Sequence, residues 1–149
     1  MSPYKPKLVC FSCKFGWGYL TDETDLSKEI DNWAPIICTG KIDTTHMIEA
    51  FERGADGILI LACPEGDCHY QDGNFEAKKR VYLLRRLLES MGVEKERIRI
   101  EFSSDPEGLR IKQIVKEMTE DLEKLGPPKG SAAVRKISKK EAVKSGGRK

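Results

Sequence analysis

The sequence lacks any apolar run long enough to span a bilayer. Its first residues, MSPYKPKLVCFSC, also lack the apolar segment and the small-residue cleavage site of a secretory signal. We therefore expect a cytoplasmic protein whose thiols stay reduced. A glycine-rich phosphate loop is missing as well, because Gly16-Trp17-Gly18 is too short and opens no clear helix. Since no nucleophile, base and orienting group can be placed together, we expect no substrate turnover by this chain alone.

Charge is distributed unevenly along the chain. The 149 residues carry a formal net charge of +2, but residues 129–149 contain eight Lys or Arg and one Glu, which leaves −5 for residues 1–128. We predict one α/β domain over residues 1–128 and a basic tail that is mobile or docks on an acidic partner. The predicted contacts of the tail are four basic residues: Arg135, Lys136, Lys139 and Lys140. The acidic body gives no footprint for nucleic acid.

Four short apolar runs predict strands. Three of them contain or end in a cysteine, at residues 8–11, 35–38 and 57–63. Such continuous runs are typical of strands that are buried on both faces of a sheet. The fourth run, residues 97–102, alternates apolar and polar residues, which is typical of an edge strand.

Three helical patterns separate or follow these runs. Asp43 is a predicted cap for a helix that runs to Arg53. Asn74 is a predicted cap for a longer helix that ends before Gly92, and a third helix begins at Asp105. Strands that alternate with helices indicate right-handed β-α-β units. The predicted fold is a small, open, mostly parallel four-stranded sheet with helices on both faces, of the Rossmann or flavodoxin-like kind.

The five cysteines are the residues most informative about chemistry. An odd number does not suit a closed disulfide framework, and 149 residues can form a core without one. Cys10, Cys38 and Cys63 lie at the ends of predicted strands, Cys13 follows the first of them, and Cys68 follows the last. Ligands of open α/β sheets bind beyond the carboxyl ends of the strands. We therefore expect the five sulfurs to converge on one edge of the fold.

Spacing leaves the kind of centre open. Four thiolates at one site are typical of zinc or of an iron–sulfur cluster. The C-x2-C spacing of Cys10 and Cys13 and the C-x4-C spacing of Cys63 and Cys68 fit either metal, so a zinc-binding structural subunit is one alternative. A second is a thiol–disulfide oxidoreductase using Cys10 and Cys13, although the residues after Cys13 are a poor helix start.

Only two histidines are present, and a Rieske-type cluster needs two His ligands. His46 falls in the first turn of a predicted helix, where we expect a structural hydrogen bond. His69 directly follows Cys68 and is a candidate ligand or hydrogen-bond donor.

Three segments make the sequence recognisable: C-x-x-C at residues 10–13, C-T-G-K-I-D at 38–43, and G-D-C-H-Y-x-x-G-N at 66–74. Over about residues 7–126 the chain resembles the delta subunit of methyl-viologen-reducing hydrogenase, an iron–sulfur protein associated with heterodisulfide reductase. The resemblance implies a 2Fe–2S cluster. It also implies electron relay between a donor module, such as a hydrogenase or formate dehydrogenase, and a flavin-bearing heterodisulfide reductase A-type subunit.

With such a cluster, the expected ligands are Cys10, Cys13, Cys63 and Cys68, because two local pairs cost less chain ordering. Cys38 is held in reserve and can replace any one of them. An electron relay needs its cluster close to a docking surface, so the cysteine edge is expected to be an interface. Aromatic residues are enriched in such contacts. The candidate anchors are three aromatic residues: Trp17, Tyr19 and Tyr70.

Overall fold

The computed structural model describes residues 4–13, 30, 32–63, 68, 71–102 and 109–128. Several predictions lie outside the described residues. They concern the basic tail, the anchors Trp17, Tyr19 and Tyr70, His69, and the helix start at Asp105.

The four predicted strands form one parallel sheet. They are β1 (Leu8–Cys13), β2 (Asn32–Ile36), β3 (Gly57–Ala62) and β4 (Ile98–Phe102), and they lie in the order β2-β1-β3-β4. β1 pairs in parallel with β2 and with β3, and β3 pairs in parallel with β4. The alternating run therefore forms an edge strand as predicted. The bounds predicted for the second strand, residues 35–38, were wrong, because β2 ends at Ile36 and Cys38 lies beyond it.

Three helices and two short 3-10 turns connect the strands. The helices are α1 (Thr44–Glu52), α2 (Gly73–Ser90) and α3 (Leu109–Leu125), and the turns are Thr39–Lys41 and Lys95–Arg97. Two of the helices, α2 and α3, are amphipathic: apolar residues spaced by three or four positions form one face of each helix. None of the helices in the described ranges is long and apolar enough to cross a membrane.

Asp43 caps α1 as predicted. Its carboxylate accepts a hydrogen bond from the Thr44 backbone N–H at 2.6 Å, which holds the pKa of Asp43 below its usual range. In return, the Asp43 backbone N–H donates to Nδ1 of His46 at 2.9 Å, completing a capping box. The structural hydrogen bond predicted for His46 is thereby confirmed.

Asn74 is not the cap that the sequence indicated. α2 already begins at Gly73, and Asn74 is buried within its first turn. The Asn74 side-chain amide donates to the Cys63 carbonyl at 3.2 Å, and its oxygen accepts from the Phe75 backbone N–H at 2.9 Å. A polar side chain that looked like a helix start instead ties α2 to the end of β3.

Each face of the sheet has its own apolar core. On one face α3 packs against alternate residues of β1 and β3, including Leu8, Leu59 and Leu61. On the other face α1 and α2 cover residues such as Ile58 and Ile60. Helices on both faces were predicted, and the continuous apolar run of β3 follows from this double burial.

The direction of strand order reverses between β1 and β3. β2 lies on one side of β1, whereas β3 and β4 lie on the other side. In open parallel sheets such a reversal opens a crevice beyond the carboxyl ends of the two central strands, where ligands bind. Here those ends are occupied by Cys13 and by the residue after Ala62, Cys63.

Leu59 tests the double-sided core. Its side chain is fully buried between β1, β3 and α3, so Leu59→Ala removes contacts that the sheet cannot easily refill. We expect the free energy of unfolding to fall by about 2–5 kcal/mol, measured as a lower urea midpoint at unchanged slope. The matched control is Leu83→Ala on α2, whose side chain is 67% exposed. That change is expected to stay within about 0.5 kcal/mol, and equal effects at both sites would contradict the assigned core.

Candidate metal centre

The first pair of thiols lies at the strand reversal. Cys13 ends β1, Cys63 follows β3, and their Sγ atoms are 3.0 Å apart. Both side chains are buried. Parallel pairing fixes this meeting, because the ends of adjacent strands β1 and β3 stand at the same edge of the sheet. The convergence on one edge that the sequence predicted for all five sulfurs is observed for these two, although Cys13 ends β1 and was expected to follow it.

A second pair lies beside the first. Cys38 caps the 3-10 turn after β2, and its Sγ lies 3.9 Å from Sγ of Cys68. The Gly40 backbone N–H donates to the Cys38 sulfur at 3.4 Å. Cys38 is buried, whereas Cys68 is only partly buried. The pair joins two loops that are 30 residues apart in the chain.

The same backbone segments hold both pairs. The Cys13 sulfur lies 3.9 Å from the carbonyl oxygen of Ile37, the residue before Cys38. On the other side, Gly73 lies against the sulfurs of Cys38 and Cys68. The next residue, Asn74, binds the Cys63 carbonyl. Four of the five cysteines therefore share one edge of the fold.

Cys10 lies elsewhere. Side chains three apart on a strand point to opposite faces, so Cys10 and Cys13 cannot face the same side of β1. Cys10 is fully buried in the core beneath α3, next to Leu8 and Leu59. This apolar burial raises the pKa of the Cys10 thiol far above its usual range. The structure therefore does not bring Cys10 to the edge where the sequence prediction placed it, and it separates Cys10 from Cys13.

The sulfurs stand as two pairs and not as one cage. Among the described residues, no group of three or more His, Cys, Asp or Glu is arranged to hold a metal ion. None of the five cysteines forms a disulfide. Burial raises the pKa of Cys38, the Gly40 N–H opposes that rise, and nearby Cys68 and Cys13 add to it. The Gly40 contact thus favours the thiolate, the form that binds metal.

Two glycines allow the close approach of the Cys38 turn to α2. A Cβ at Gly40 would lie 2.7 Å from the Gly73 Cα, closer than real atoms stand. A Cβ at Gly73 would overlap the Cys38 sulfur and lie 3.5 Å from the Cys68 sulfur. Any side chain at either position would therefore push the turn, and Cys38 with it, away from the helix.

Arg80 holds the same turn from the middle of α2. Its guanidinium donates to the carbonyls of Gly40 and Ile42, the latter at 2.9 Å. Both carbonyls belong to the C-T-G-K-I-D segment, so a charged side chain fixes the backbone that positions Cys38.

Comparison with known proteins identifies the family. The model of the family described as methyl-viologen-reducing hydrogenase, delta subunit, matches residues 21–126. The chain belongs to this family. The match includes Cys38, Cys63 and Cys68, and it begins after Cys10 and Cys13.

Individual relatives of this delta-subunit family carry related names. The iron–sulfur D subunit of the F420-non-reducing hydrogenase of Archaeoglobus profundus is 33% identical over 130 residues, covering 83% of this chain and 93% of the relative. Its counterpart from Methanocaldococcus jannaschii is 40% identical over 90 residues, covering 60% of this chain and 67% of the relative. The A subunit of the ferredoxin:CoB-CoM heterodisulfide reductase of Methanosarcina mazei is 36% identical over 126 residues. That match covers 84% of this chain but 16% of the longer relative.

Sequence reasoning missed the residues that position the thiols of this family member. Gly40, Gly73 and Asn74 stand within the recognised segments, so the motif marked their places but not their tasks. Arg80 carried no signal, because a basic residue on the flank of a helix is ordinarily solvated. Only the packing of α2 on the Cys38 turn brings it to the two carbonyls.

Gly73→Ala tests the close approach. In most helices this change is favourable by about 1 kcal/mol. Here the new methyl group overlaps the Cys38 sulfur, so we expect a lower melting temperature and faster alkylation of Cys38 in the native protein.

The matched control is Gly92→Ala, just after α2. Gly92 has φ +83° and open space around its Cα, so this variant is strained by about 1–2 kcal/mol but lies away from the sulfurs. It is expected to lose stability while Cys38 stays as protected from alkylation as in the wild type. If Gly73→Ala left Cys38 equally protected, the assigned contact between Gly73 and Cys38 would be wrong.

Proposed function

We propose that this chain carries one 2Fe–2S cluster on Cys13, Cys38, Cys63 and Cys68. In this proposal it relays electrons between a donor module, such as a hydrogenase or formate dehydrogenase, and a flavin-bearing heterodisulfide reductase A-type subunit. When bound, the cluster accepts and returns one electron. The chain itself supplies the thiolates, their hydrogen bonds and the surface that admits the partner.

The division of the thiols into two pairs is the observation that carries the proposal. A 2Fe–2S cluster has four cysteine ligands, two on each iron. Two thiolates bound to one tetrahedral metal at about 2.3 Å stand about 3.8 Å apart. Cys38 and Cys68, at 3.9 Å, already have that separation, and Cys13 and Cys63 need to open from 3.0 Å. A single zinc would instead draw all four sulfurs around one point.

The proposed ligand set differs from the one that local spacing favoured, since Cys38 replaces Cys10. Cys10 lies on the α3 face of the sheet, and turning it outward would break the core around Leu59. The same separation argues against a thiol–disulfide enzyme based on Cys10 and Cys13, because the two thiols face opposite sides of β1.

The surroundings of the four sulfurs suit an electron relay. Three of the sulfurs are buried and Cys68 is partly buried, which leaves one side of the site nearest the surface. The Gly40 N–H bonded to Cys38 is a contact of the kind that raises the potential of a cluster by stabilising charge on its ligands.

The relatives support the proposed acceptor. A segment similar to this chain is part of one polypeptide with a much longer remainder in the heterodisulfide reductase of Methanosarcina mazei. A fused domain stays next to its partner at high effective concentration. We therefore propose that the direct neighbour of this chain is such an A-type subunit, and that the complex has a cytoplasmic location.

Anaerobic reconstitution of cysteine variants tests the ligand set. The wild-type chain is expected to be brown and to bind about two iron and two sulfide per chain. Replacing Cys13, Cys38, Cys63 or Cys68 singly by Ala should remove most of the iron and change the visible and electron paramagnetic resonance spectra.

Cys10→Ala is the control, because this thiol is a small apolar group in the core. It is expected to lose stability slightly and to keep the iron and the spectra. Stoichiometric zinc without iron in the wild type would reject the cluster. Full iron in Cys38→Ala together with loss in Cys10→Ala would reject the ligand set.

A further inference from the structure

The exposed apolar side chains of the described residues are concentrated around α2. Beyond Ile37, which adjoins Cys38, the large apolar residues that remain exposed all lie on this helix. They are four residues: Phe75, Tyr82, Leu83 and Leu87. α2 buries its other face against the sheet, so these side chains point away from the core of the domain. Several apolar side chains grouped on one surface element are typical of an interaction site.

Basic residues surround these apolar side chains. α2 contains five Lys or Arg and two acidic residues, a net charge of +3, whereas residues 1–128 together carry −5. Two of the five are already engaged, since Arg80 binds the Cys38 turn and Lys79 pairs with Glu76 at 2.8 Å. A shallow depression of about 560 Å³ on the helix is lined by both basic and apolar side chains: Lys78, Lys79, Tyr82, Leu83 and Arg86. Within the described part of the chain, Arg86 has no ion-pair partner. The outer face of α2 is thus an apolar strip with a basic rim on an otherwise acidic domain.

This strip begins at the thiol site. The first residue of α2, Gly73, lies against the sulfurs of Cys38 and Cys68, and Phe75 follows two residues later. Ile37 lies on the other side, where its carbonyl faces the Cys13 sulfur. Cys68, the least buried of the four paired thiols, lies next to this end of the helix. A protein seated along α2 would therefore reach the side of the site that is nearest to solvent.

We propose that the outer face of α2 is the docking surface for the flavin-bearing A-type subunit, which meets it with an apolar patch inside an acidic rim. The inference rests on the proposed function and adds to it the surface and the chemistry of the contact. Complementary charge steers the two proteins together and orients them, while the apolar centre supplies most of the affinity.

Other occupants fit this surface less well. The tail of this chain carries +7, so the basic rim of α2 repels it. A nucleic acid would suit the charge but leave Leu83 and Leu87 against a polar backbone, and protein–DNA interfaces are more polar than this strip. A second copy that met this face with its own α2, as in a two-fold dimer, would set basic rim against basic rim.

Binding of the full, cluster-loaded chain to the purified cognate A-type subunit tests the surface. Arg86→Glu and Leu83→Glu, measured by anaerobic biolayer interferometry, are each expected to weaken binding about tenfold or more. The wild-type affinity should also fall as sodium chloride is raised, because rim charges are screened by salt. Iron content, spectra and melting temperature are measured in parallel and should stay unchanged, since both side chains are exposed.

Lys116→Glu is the matched control. Lys116 is an exposed basic residue on α3, across the sheet from α2, and the substitution makes the same change in charge. It is expected to leave the affinity within about twofold of wild type. If Arg86→Glu and Lys116→Glu weakened binding equally, or Leu83→Glu had no effect, the proposed surface would be wrong.

Three further results separate this inference from its alternatives. If the full chain bound a DNA duplex through α2 more tightly than it bound the A-type subunit, the inference would be overturned in favour of a nucleic-acid surface. Self-association of the chain that is abolished by Leu83→Glu would overturn it in favour of a contact between copies. A wild-type chain that holds no iron but still docks through α2 would reject the cluster and leave the docking surface standing.

Discussion

The turn at Gly40 and the first turn of α2 approach so closely that neither Gly40 nor Gly73 could carry a side chain. Gly40 and Gly73 meet there, and the sulfur of Cys38 fills the remaining space. Arg80 fastens the turn from α2, and Asn74 fastens α2 to the end of β3. Two loops and a strand end are thereby fixed relative to one another by hydrogen bonds to the backbone. The position of Cys38 beside Cys68, which lies 30 residues further along the chain, depends on this fixed relation, whereas the pairing of β1 with β3 brings Cys13 to Cys63.

Stability and chemistry are assigned to different parts of the sheet. The two cores cover the middle of the strands with aliphatic side chains, and Cys10 serves one of them as a small apolar residue. The paired thiols lie at and just beyond the carboxyl ends of the strands, next to the first turn of α2. Burial raises the pKa of Cys38, which favours its neutral thiol when no metal is bound. Binding of the proposed cluster would displace a proton from Cys38, which would couple assembly of the centre to pH.

The sequence predicted the parts of the fold that obey periodic rules. β3 and β4 were recognised from a continuous and an alternating run, and α2 from a helical pattern that ends before Gly92. The bounds of β2 were wrong, because Asn32 to Ile36 is a half-exposed strand whose pattern is weak. Asn74 was misread as a cap, because an Asn ahead of an apolar pattern has the same appearance whether it binds its own helix or a neighbouring strand.

The choice between Cys10 and Cys38 shows where sequence reasoning stops. Local spacing favours Cys10 with Cys13, but the period of a strand sends residues three apart to opposite faces. Applied to residues 8–13 as a strand that continues through Cys13, this rule alone separates the two thiols. The predicted strand ended at Phe11, and that early end concealed the conflict. The placement of Cys38 beside Cys68 could not be foreseen in the same way, because it depends on the tertiary contact of a turn with a helix.

α2 is subject to three constraints that act on different surfaces of one helix. Its inner face is set by the sheet, where Ala77, Val81, Leu84 and Leu88 follow a strict spacing. Its first turn is set by the sulfurs, which exclude any side chain at Gly73. Its outer face contacts neither the sheet nor the sulfurs, and contact with solvent alone would favour charged residues there. Tyr82, Leu83 and Leu87 are instead exposed there, on a helix whose first turn lies at the least buried thiol. The proposed relay must exclude water from its centre and still bring a partner close to it. A helix that begins at the thiols and carries the proposed docking surface outward satisfies both requirements.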